Sequence, residues 1–347
     1  MLDRLSKIEI FSSTWRDSIP VLRYALGTCF ILAVNSLMNY ELSYLTSVLA
    51  LGYMAPGAKP LTFKEGLKFI ITLTLITSLA VIFSEYFVDY PLVFMPLLAL
   101  GILWLYYSDV LPLMVKLFSI ISILVIPLLS LEASVIGSFV AISLVFNALM
   151  AVTLSQLVFL VFPLCYADMA FEKEQKKVTK QTDKERLTYA INIVLILLPL
   201  LLLFFIFKLS GGLLILIFTA ILSMSPALAN IKVGAVMIIA NILGGLFAIL
   251  AYNLLVIVPL FPFMILLTLI TGLFFGTKLF SSNKFAAVFG TGFSTFLLIL
   301  GSVTSSEAEA GDKVWTRVIQ ISIAVIYVVI AFRILNYFER KKSDKKL

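Results

Sequence analysis

The strongest constraint on this chain is the length of its uncharged apolar runs. One run covers Ile191 to Phe207 without a single charged side chain, and another covers Gly66 to Phe83 with only Lys68 as an interruption. A helix needs about 20 mostly apolar residues to cross a hydrocarbon core roughly 30 Å thick. A chain of this size has too little interior to bury so many apolar residues. The runs therefore favour a membrane protein over a soluble globular fold.

The residue composition agrees and narrows the chemistry. Of the 347 residues, 61% are hydrophobic and 13% are charged, against roughly 45–50% and about 25% in soluble domains. The chain has no histidine, which excludes histidine acid–base catalysis and histidine ligands for zinc or haem. Cys29 and Cys165 lie far apart in apolar runs and form no CxxC pair. We therefore expect no enzyme activity, no metal site and no cofactor.

We predict an all-α integral membrane fold with about 12 transmembrane helices. The breaks between apolar runs contain Gly, Pro, Asn, Asp or Ser, as turns do. Six spans are predicted in the first half of the chain, at 20–38, 42–57, 66–86, 90–107, 111–130 and 134–165. Six more are predicted in the second half, at 188–208, 211–227, 232–257, 259–276, 283–302 and 313–337.

The long polar stretch in the middle of the chain suggests a division into two halves. Residues 167–188 contain six Lys or Arg residues interleaved with acidic ones, a composition typical of a solvated linker. We predict a first six-helix membrane repeat over 1–166, a cytoplasmic charged linker over 167–188, and a second six-helix repeat with a basic tail over 189–347.

The distribution of Lys and Arg predicts the orientation. These residues concentrate on the cytoplasmic side of membrane proteins. With the N-terminus inside and twelve alternating spans, about 19 of the 26 Lys and Arg residues fall in cytoplasmic pieces, and the outer loops contain only Lys208 and Lys313. We therefore predict a multi-pass protein of the bacterial inner membrane with both termini cytoplasmic.

Short matching motifs indicate that the two halves are copies of one unit. Met54-Ala55-Pro56 at the end of span two matches Met224-Ser225-Pro226 at the end of span eight, 170 residues later. Lys116 and Lys284 occupy matching positions at a similar offset. Since each half begins inside and crosses six times, the two repeats have the same orientation, with an axis along the membrane normal.

The opening of the chain resembles a known superfamily. Leu22 to Leu26, an outer hairpin, and a second span ending in Pro56 before a basic turn are similar to the start of the fusaric-acid-resistance (FUSC-like) superfamily, which includes aromatic acid exporters. The compact form resembles its DUF2955 branch. Larger members insert a soluble domain between the repeats, where this chain has only the charged linker. The resemblance implies efflux of organic anions, often beside a periplasmic adaptor (membrane fusion) protein.

Ionisable residues inside spans are costly and are therefore functional candidates. Two or more residues inside the ends of the predicted spans there are five, all cationic: Arg23, Lys68, Lys116, Arg317 and Arg333. A one-sided set of cations favours an anionic substrate. The alternative is that long side chains extend to the headgroups. That alternative is preferred for Arg23, Lys68 and Arg333, while for Lys116 and Arg317 both interpretations stay open.

Three uncharged residues are further candidates. Pro56 and Pro226 mark helices that are either broken, as at a transport site, or simply ending. Asn241 either faces a substrate path or makes an interhelical hydrogen bond, and the glycines near it, including Gly244 and Gly292, permit close helix packing.

The leading hypothesis is a transporter that exports small organic anions, aromatic or carboxylic, through a path between the two repeats. The alternative is a membrane scaffold or assembly subunit that transports nothing. Besides the lipid bilayer we expect no nucleic-acid partner, because the basic tail beside a membrane indicates headgroup contacts. The sequence leaves open whether copies assemble into a homo-oligomer.

Overall fold

The structure is a computed structural model of the chain. It describes all residues except 1, 41, 109–112, 166–167, 169–181, 210–211, 224–230, 284, 305–315, 317–318, 321, 325 and 336–347. In the described part the chain is all-helical. The first six helices are α1 (Leu2–Met38), α2 (Ser43–Met54), α3 (Phe63–Phe87), α4 (Pro91–Tyr107), α5 (Leu113–Ser130) and α6 (Ser134–Val161). They are followed by α7 (Asp183–Phe207), α8 (Leu213–Ser223), α9 (Ile231–Ile257), α10 (Phe261–Leu279) and α11 (Ala286–Thr304). Residues 326–335 form a further helical segment.

Each of the twelve predicted spans overlaps helical residues in the described part of the chain. Among the described residues, 6 helices are long and apolar enough to cross a membrane. They are Ser18–Met38, Phe63–Phe87, Ser134–Val161, Asp183–Phe207, Ile239–Ile257 and Phe261–Leu279. The prediction of an all-α membrane protein is thus confirmed, while a count of twelve crossings stays a prediction.

The second helix of each sequence half is short in the described part of the chain. Helix α2 has 12 residues, about 18 Å along its axis, and the described part of α8 has 11. A bilayer core is roughly 30 Å thick, so the 12 residues of α2 do not cross it alone.

Helix α3 presents an apolar stripe to its surroundings. Exposed large side chains recur every three or four residues along it, at Phe63, Leu67, Ile71, Leu75, Leu79, Ile82 and Tyr86. This spacing places them on one face of the helix. An apolar face of this length is typical of a helix in contact with lipid.

The chain divides into two compact units that do not coincide with the sequence halves. Unit 1 contains residues 1–66, 147–180 and 240–310. Unit 2 contains residues 67–146, 181–239 and 311–347. Each unit therefore combines helices from both halves of the chain.

Unit 1 is built on a closed ring of four helices. Helix α1 packs on α2 and α10, and α11 packs on α2 and α10. Buried aromatic side chains fill the ring: Phe293 packs on Tyr24, Phe275 and Phe296, with ring centroids 5.6, 6.2 and 5.9 Å apart. Small residues bring α10 close to α1, because a Cβ atom on Gly272 would lie 3.3 Å from that of Ala25.

Unit 2 has a ring of its own. Helix α7 packs on α4 and α8, and α5 packs on α4 and α8. Its core combines α4, α5, α7 and α8, including Phe94, Ile102, Leu124, Leu197 and Leu216. Aromatic stacking contributes here too, with 5.8 Å between the ring centroids of Phe94 and Phe205.

The two rings contain corresponding helices. Exchanging α1 with α7, α2 with α8, α4 with α10 and α5 with α11 converts the packed pairs of one ring into those of the other. In each ring the first two helices come from one sequence half and the fourth and fifth helices come from the other.

Candidate functional site

A fully buried ion pair lies in unit 1. The Arg23 guanidinium donates two hydrogen bonds to the Asp168 carboxylate, Nη1 to Oδ2 at 3.1 Å and Nη2 to Oδ1 at 2.5 Å. The exposed fractions of the two side chains are 0% and 5%. This side-by-side geometry is the strongest arrangement between a guanidinium and a carboxylate, and it matches the planar fork of Arg.

Asp168 is held in place by the backbone that follows α6. Its Oδ2 atom accepts hydrogen bonds from the Cys165 amide at 2.9 Å and from the Cys165 thiol at 3.3 Å. The Asp168 amide in turn donates to the Cys165 carbonyl at 3.2 Å. A short turn of this kind is a common use of Asp, and here it points the carboxylate at α1.

The surroundings of Arg23 are apolar. The guanidinium carbon lies 4.7 Å from the centre of the Phe159 ring, a cation–π contact. A side chain on Gly27, one turn further along α1, would collide with Val158 and Met54, so α2 and α6 pack closely against α1 here. The Arg23 Nε–H is buried and has no hydrogen-bond partner among the described residues. The site thus binds one carboxylate, and the Arg23 Nε–H remains as a further hydrogen-bond donor.

The charge of Asp168 is maintained despite its burial. Burial by itself would raise the pKa of Asp168, but hydrogen bonds from Arg23 and from the Cys165 amide lower it by more. The pKa of this carboxyl therefore lies below its ordinary value, and the pair is ionised at neutral pH.

The sequence analysis places both partners differently. It prefers to bring the Arg23 side chain to the headgroups, whereas the structure buries it against a carboxylate. It also includes Asp168 in the solvated stretch 167–188, whereas Asp168 is buried. A signal for Asp168 is present in the sequence, because its neighbours from Tyr166 to Phe171 are uncharged and the dense charge begins only at Glu172.

The other cationic candidates that the structure describes belong to unit 2. Lys68 on α3 and Arg333 are exposed, in agreement with side chains that extend to the headgroups. Lys116 is half-buried and lies three residues after Leu113, the start of α5, about 4.5 Å along the helix axis. Lys68 and Lys116 belong to unit 2 and Arg23 to unit 1. Arg317 lies outside the described residues.

Asn241 joins two helices of unit 1. Its Nδ2 atom donates to the Thr291 hydroxyl at 3.2 Å, and its Oδ1 atom accepts from the Thr295 hydroxyl at 2.5 Å. One turn further along α9, a side chain on Gly244 would collide with the Gly292 backbone on α11. The structure therefore displays the interhelical hydrogen bond and the close glycine packing that the sequence analysis offers for these residues.

Of the two proline candidates, Pro56 is described. It lies in a turn after the last residue of α2, Met54, and is followed by Gly57 at φ 78°. A left-handed backbone at this position suits glycine, so the segment Pro56-Gly57 terminates α2 and does not break it. Pro226 lies outside the described residues.

Two buried polar networks have no counterpart in the sequence analysis. In unit 1 the Tyr40 hydroxyl donates to Asn35 at 2.8 Å and lies 2.7 Å from the Thr46 hydroxyl, which bonds Asn147 on α6 at 2.7 Å. In unit 2 the Tyr106 hydroxyl donates to the Ala220 carbonyl at 3.1 Å and lies 2.9 Å from the Ser223 hydroxyl, while the Tyr189 hydroxyl donates to the Ser223 carbonyl at 2.7 Å. Both networks attach a short helix, α2 or α8, to its neighbours.

These observations define the class of the protein as an all-helical membrane protein with a buried arginine–carboxylate pair. Comparison with family models, with curated proteins and with solved structures gives no match. Among the described residues, no group of three or more Cys, Asp or Glu side chains could hold a metal ion.

Proposed function

We propose that the chain is a multi-pass transporter of the bacterial inner membrane that exports small organic anions, aromatic or carboxylic. Arg23 is the proposed anion-binding residue. The resemblance to the fusaric-acid-resistance superfamily supports the same substrate class and a periplasmic adaptor as a partner. The observation that carries the proposal is the Arg23 fork, which already holds a carboxylate in a buried and apolar setting.

The proposal includes two parallel six-helix repeats that exchange helices. Corresponding helices form corresponding pairs in the two rings, which is expected if each ring joins helices one and two of one repeat to helices four and five of the other. A path between the two repeats can then lie within a single ring. Unusually short apolar segments in matching positions of two repeats are a sequence pointer to a transport site, and predicted spans two and eight, at 42–57 and 211–227, fit that description.

The geometry around Arg23 supports an exchange of carboxylates. Asp168 is a carboxylate that the chain itself supplies, and it occupies both Nη donors of Arg23. A substrate carboxylate offers the same two oxygen atoms, so it can replace Asp168 when that side chain is displaced. Phe159 supplies an apolar and aromatic surface beside the guanidinium, which suits an aromatic acid.

The aromatic residues at the centre of the unit 1 ring are compatible with both a transporter and a scaffold. Tyr24, Phe275, Phe293 and Phe296 are all less than 2% exposed, so the ring is closed in this structure. A transporter in a closed state has such a centre, and so does a scaffold that transports nothing. The two hypotheses differ in whether the protein moves an anion.

Flux measurements on purified protein in liposomes test the proposal. We expect concentrative or exchange flux of benzoate or succinate, with a loss of at least tenfold in Arg23→Gln, because the substrate loses its charged donors. Lys64→Gln, which removes an exposed charge at the start of α3, should leave the flux unchanged. Wild-type protein that moves neither acid would instead favour the scaffold.

A paired variant separates transport from folding. Replacing both members of a buried ion pair with apolar residues is often neutral or stabilising, whereas removing one member costs about 3–5 kcal/mol. Arg23→Met combined with Asp168→Leu should therefore unfold near the wild-type temperature and yet show no flux. Normal flux in this double variant contradicts the assignment of Arg23 as the anion-binding residue.

A further inference from the structure

An apolar crevice lies in unit 2 between α3, α4 and α5. Its volume is about 300 Å³, and its walls include Leu79 and Phe83 of α3, Leu97 and Trp104 of α4, and Ile123 of α5. The lining is almost entirely hydrocarbon and aromatic. The volume is at the lower end of the range of ligand sites in proteins, about 300–1,000 Å³.

Features of the sequence keep the crevice open. Gly101 of α4 lines it, and no atom lies within 4 Å of the position that a Cβ would take there. Pro127 of α5 also lines it and lies inside its helix, where proline removes a backbone hydrogen bond and bends the axis. Helix α3 reaches α4 through the Phe83 ring, whose centroid is 6.4 Å from that of Phe94. Side chains of α3 and α4 therefore form the walls of the crevice.

The length and volume of the crevice indicate what kind of molecule can occupy it. The lining residues of α4 run from Phe94 to Leu105, a distance of about 16 Å along the helix axis. A volume of about 300 Å³ spread over that length describes a narrow slot. An acyl chain is a single file of carbon atoms, which pack at about 3.5–4.0 Å, and it fits such a slot. A helix with side chains is about 10–12 Å wide and does not fit.

The rim of the crevice faces the apolar surface of the protein. Leu79 and Trp104 line it while being 61% and 58% exposed, and the stripe on α3 continues from Leu79 in both directions. The crevice is thus open to the medium that covers that stripe, which in a membrane protein is lipid. Trp104 lies in the last turn of α4, where an indole is suited to the boundary between acyl chains and headgroups.

We propose that the crevice binds one acyl chain of a phospholipid, with its headgroup near Trp104. This site is independent of the proposed anion path, because Arg23 and Asp168 belong to unit 1. A bound chain fills the crevice between α3, α4 and α5.

Quenching of tryptophan fluorescence by brominated phospholipid tests this site. The chain has three tryptophans, Trp15, Trp104 and Trp315, so Trp15→Phe with Trp315→Phe leaves Trp104 as the sole reporter. In detergent, phosphatidylglycerol brominated in mid-chain should quench Trp104 with a saturable component near one lipid per protein. Gly101→Phe, which fills the crevice, should weaken that component at least fivefold.

Matched controls address folding and other occupants. Gly101→Ala and Leu100→Phe should both keep the saturable quenching, because the first adds one methyl group to open space and the second adds bulk at an exposed position. Ile76→Phe narrows the crevice from α3 and should repeat the effect of Gly101→Phe if the latter folds poorly. Quenching that never saturates would overturn the proposal, and so would saturable quenching that both filling variants retain. Equal affinity for a short bromoalkane would also overturn it, as would a dimer that Gly101→Phe abolishes.

Discussion

At the residue scale, burying the charges of Arg23 and Asp168 costs free energy, and packing alone does not require charged side chains at these positions. Removing an ion from water costs several kcal/mol even after the protein relaxes, and attraction between the partners recovers this only when the geometry is good. Here the pair has two hydrogen bonds, a cation–π contact and a buried Nε–H without a partner among the described residues. The cost is better explained by a use of the charges than by stability.

The lowered pKa of Asp168 predicts how stability depends on pH. A carboxyl whose pKa is lower in the folded state contributes stability that is complete above its unfolded pKa, about 3.9 for Asp. This contribution is lost as the pH falls below about 4 and through the lowered folded pKa. We therefore expect the thermal unfolding temperature of purified protein to fall as the pH drops below about 4.

The double variant Arg23→Met and Asp168→Leu is the control for this experiment. It lacks the titrating pair, so its unfolding temperature should fall less over the same pH range. Parallel curves for the two proteins would show that other carboxyls cause the acid lability.

At the element scale, the contact between α9 and α11 illustrates how small residues fix a helix pair. Gly244 and Gly292 let the two backbones touch, and Asn241 adds hydrogen bonds to Thr291 and Thr295. In a bilayer, helices associate through close packing and interhelical hydrogen bonds, because lipid tails are as apolar as the side chains. This contact therefore combines both sources of association.

A matched pair of glycine substitutions tests the contact. Gly244→Ala places a methyl group against the Gly292 backbone, and overpacking of this kind costs about 1–3 kcal/mol. Gly101→Ala adds the same group where no atom lies within 4 Å. We expect the unfolding temperature in detergent to drop for Gly244→Ala and to stay the same or rise for Gly101→Ala, because Ala is the better helix former. Equal temperatures for the two variants would contradict the close approach of α9 and α11.

At the scale of the whole molecule, the chain folds into two units that each need both sequence halves. Helix α1 packs on α10 in unit 1, and α7 packs on α4 in unit 2. Neither half can therefore complete a ring by itself. Both halves must therefore be synthesised before either ring can close.

An engineered disulfide tests this exchange. A Cβ on Gly272 would lie 3.3 Å from the Ala25 Cβ, close to the separation of about 3.5–4.5 Å in disulfides. In a background with Cys29→Ala and Cys165→Ser, the pair Ala25→Cys and Gly272→Cys should cross-link. After cleavage at a protease site inserted between Lys176 and Lys177, the two halves should migrate together without reductant and separate with it. Ala25→Cys alone in the same background is the control that should not cross-link the halves.

The membrane class and the positions of the helices could be predicted from the sequence. They follow from the lengths of apolar runs and from turn residues, which are local properties of the chain, and each predicted span overlaps described helical residues. The short α2 and α8 are visible in the same way. Arg23 was selected for the same reason, since a charge in an apolar run is conspicuous.

Only the tertiary structure decided which helices pack together and what Arg23 binds. Inside a bilayer the faces of a helix are all apolar, so the alternation that identifies a buried face in a soluble protein gives little information. The two members of the ion pair are 145 residues apart. Asp168 reaches Arg23 because the end of α6 returns to α1 and the Cys165 turn directs the carboxylate inward, and no local pattern specifies that approach.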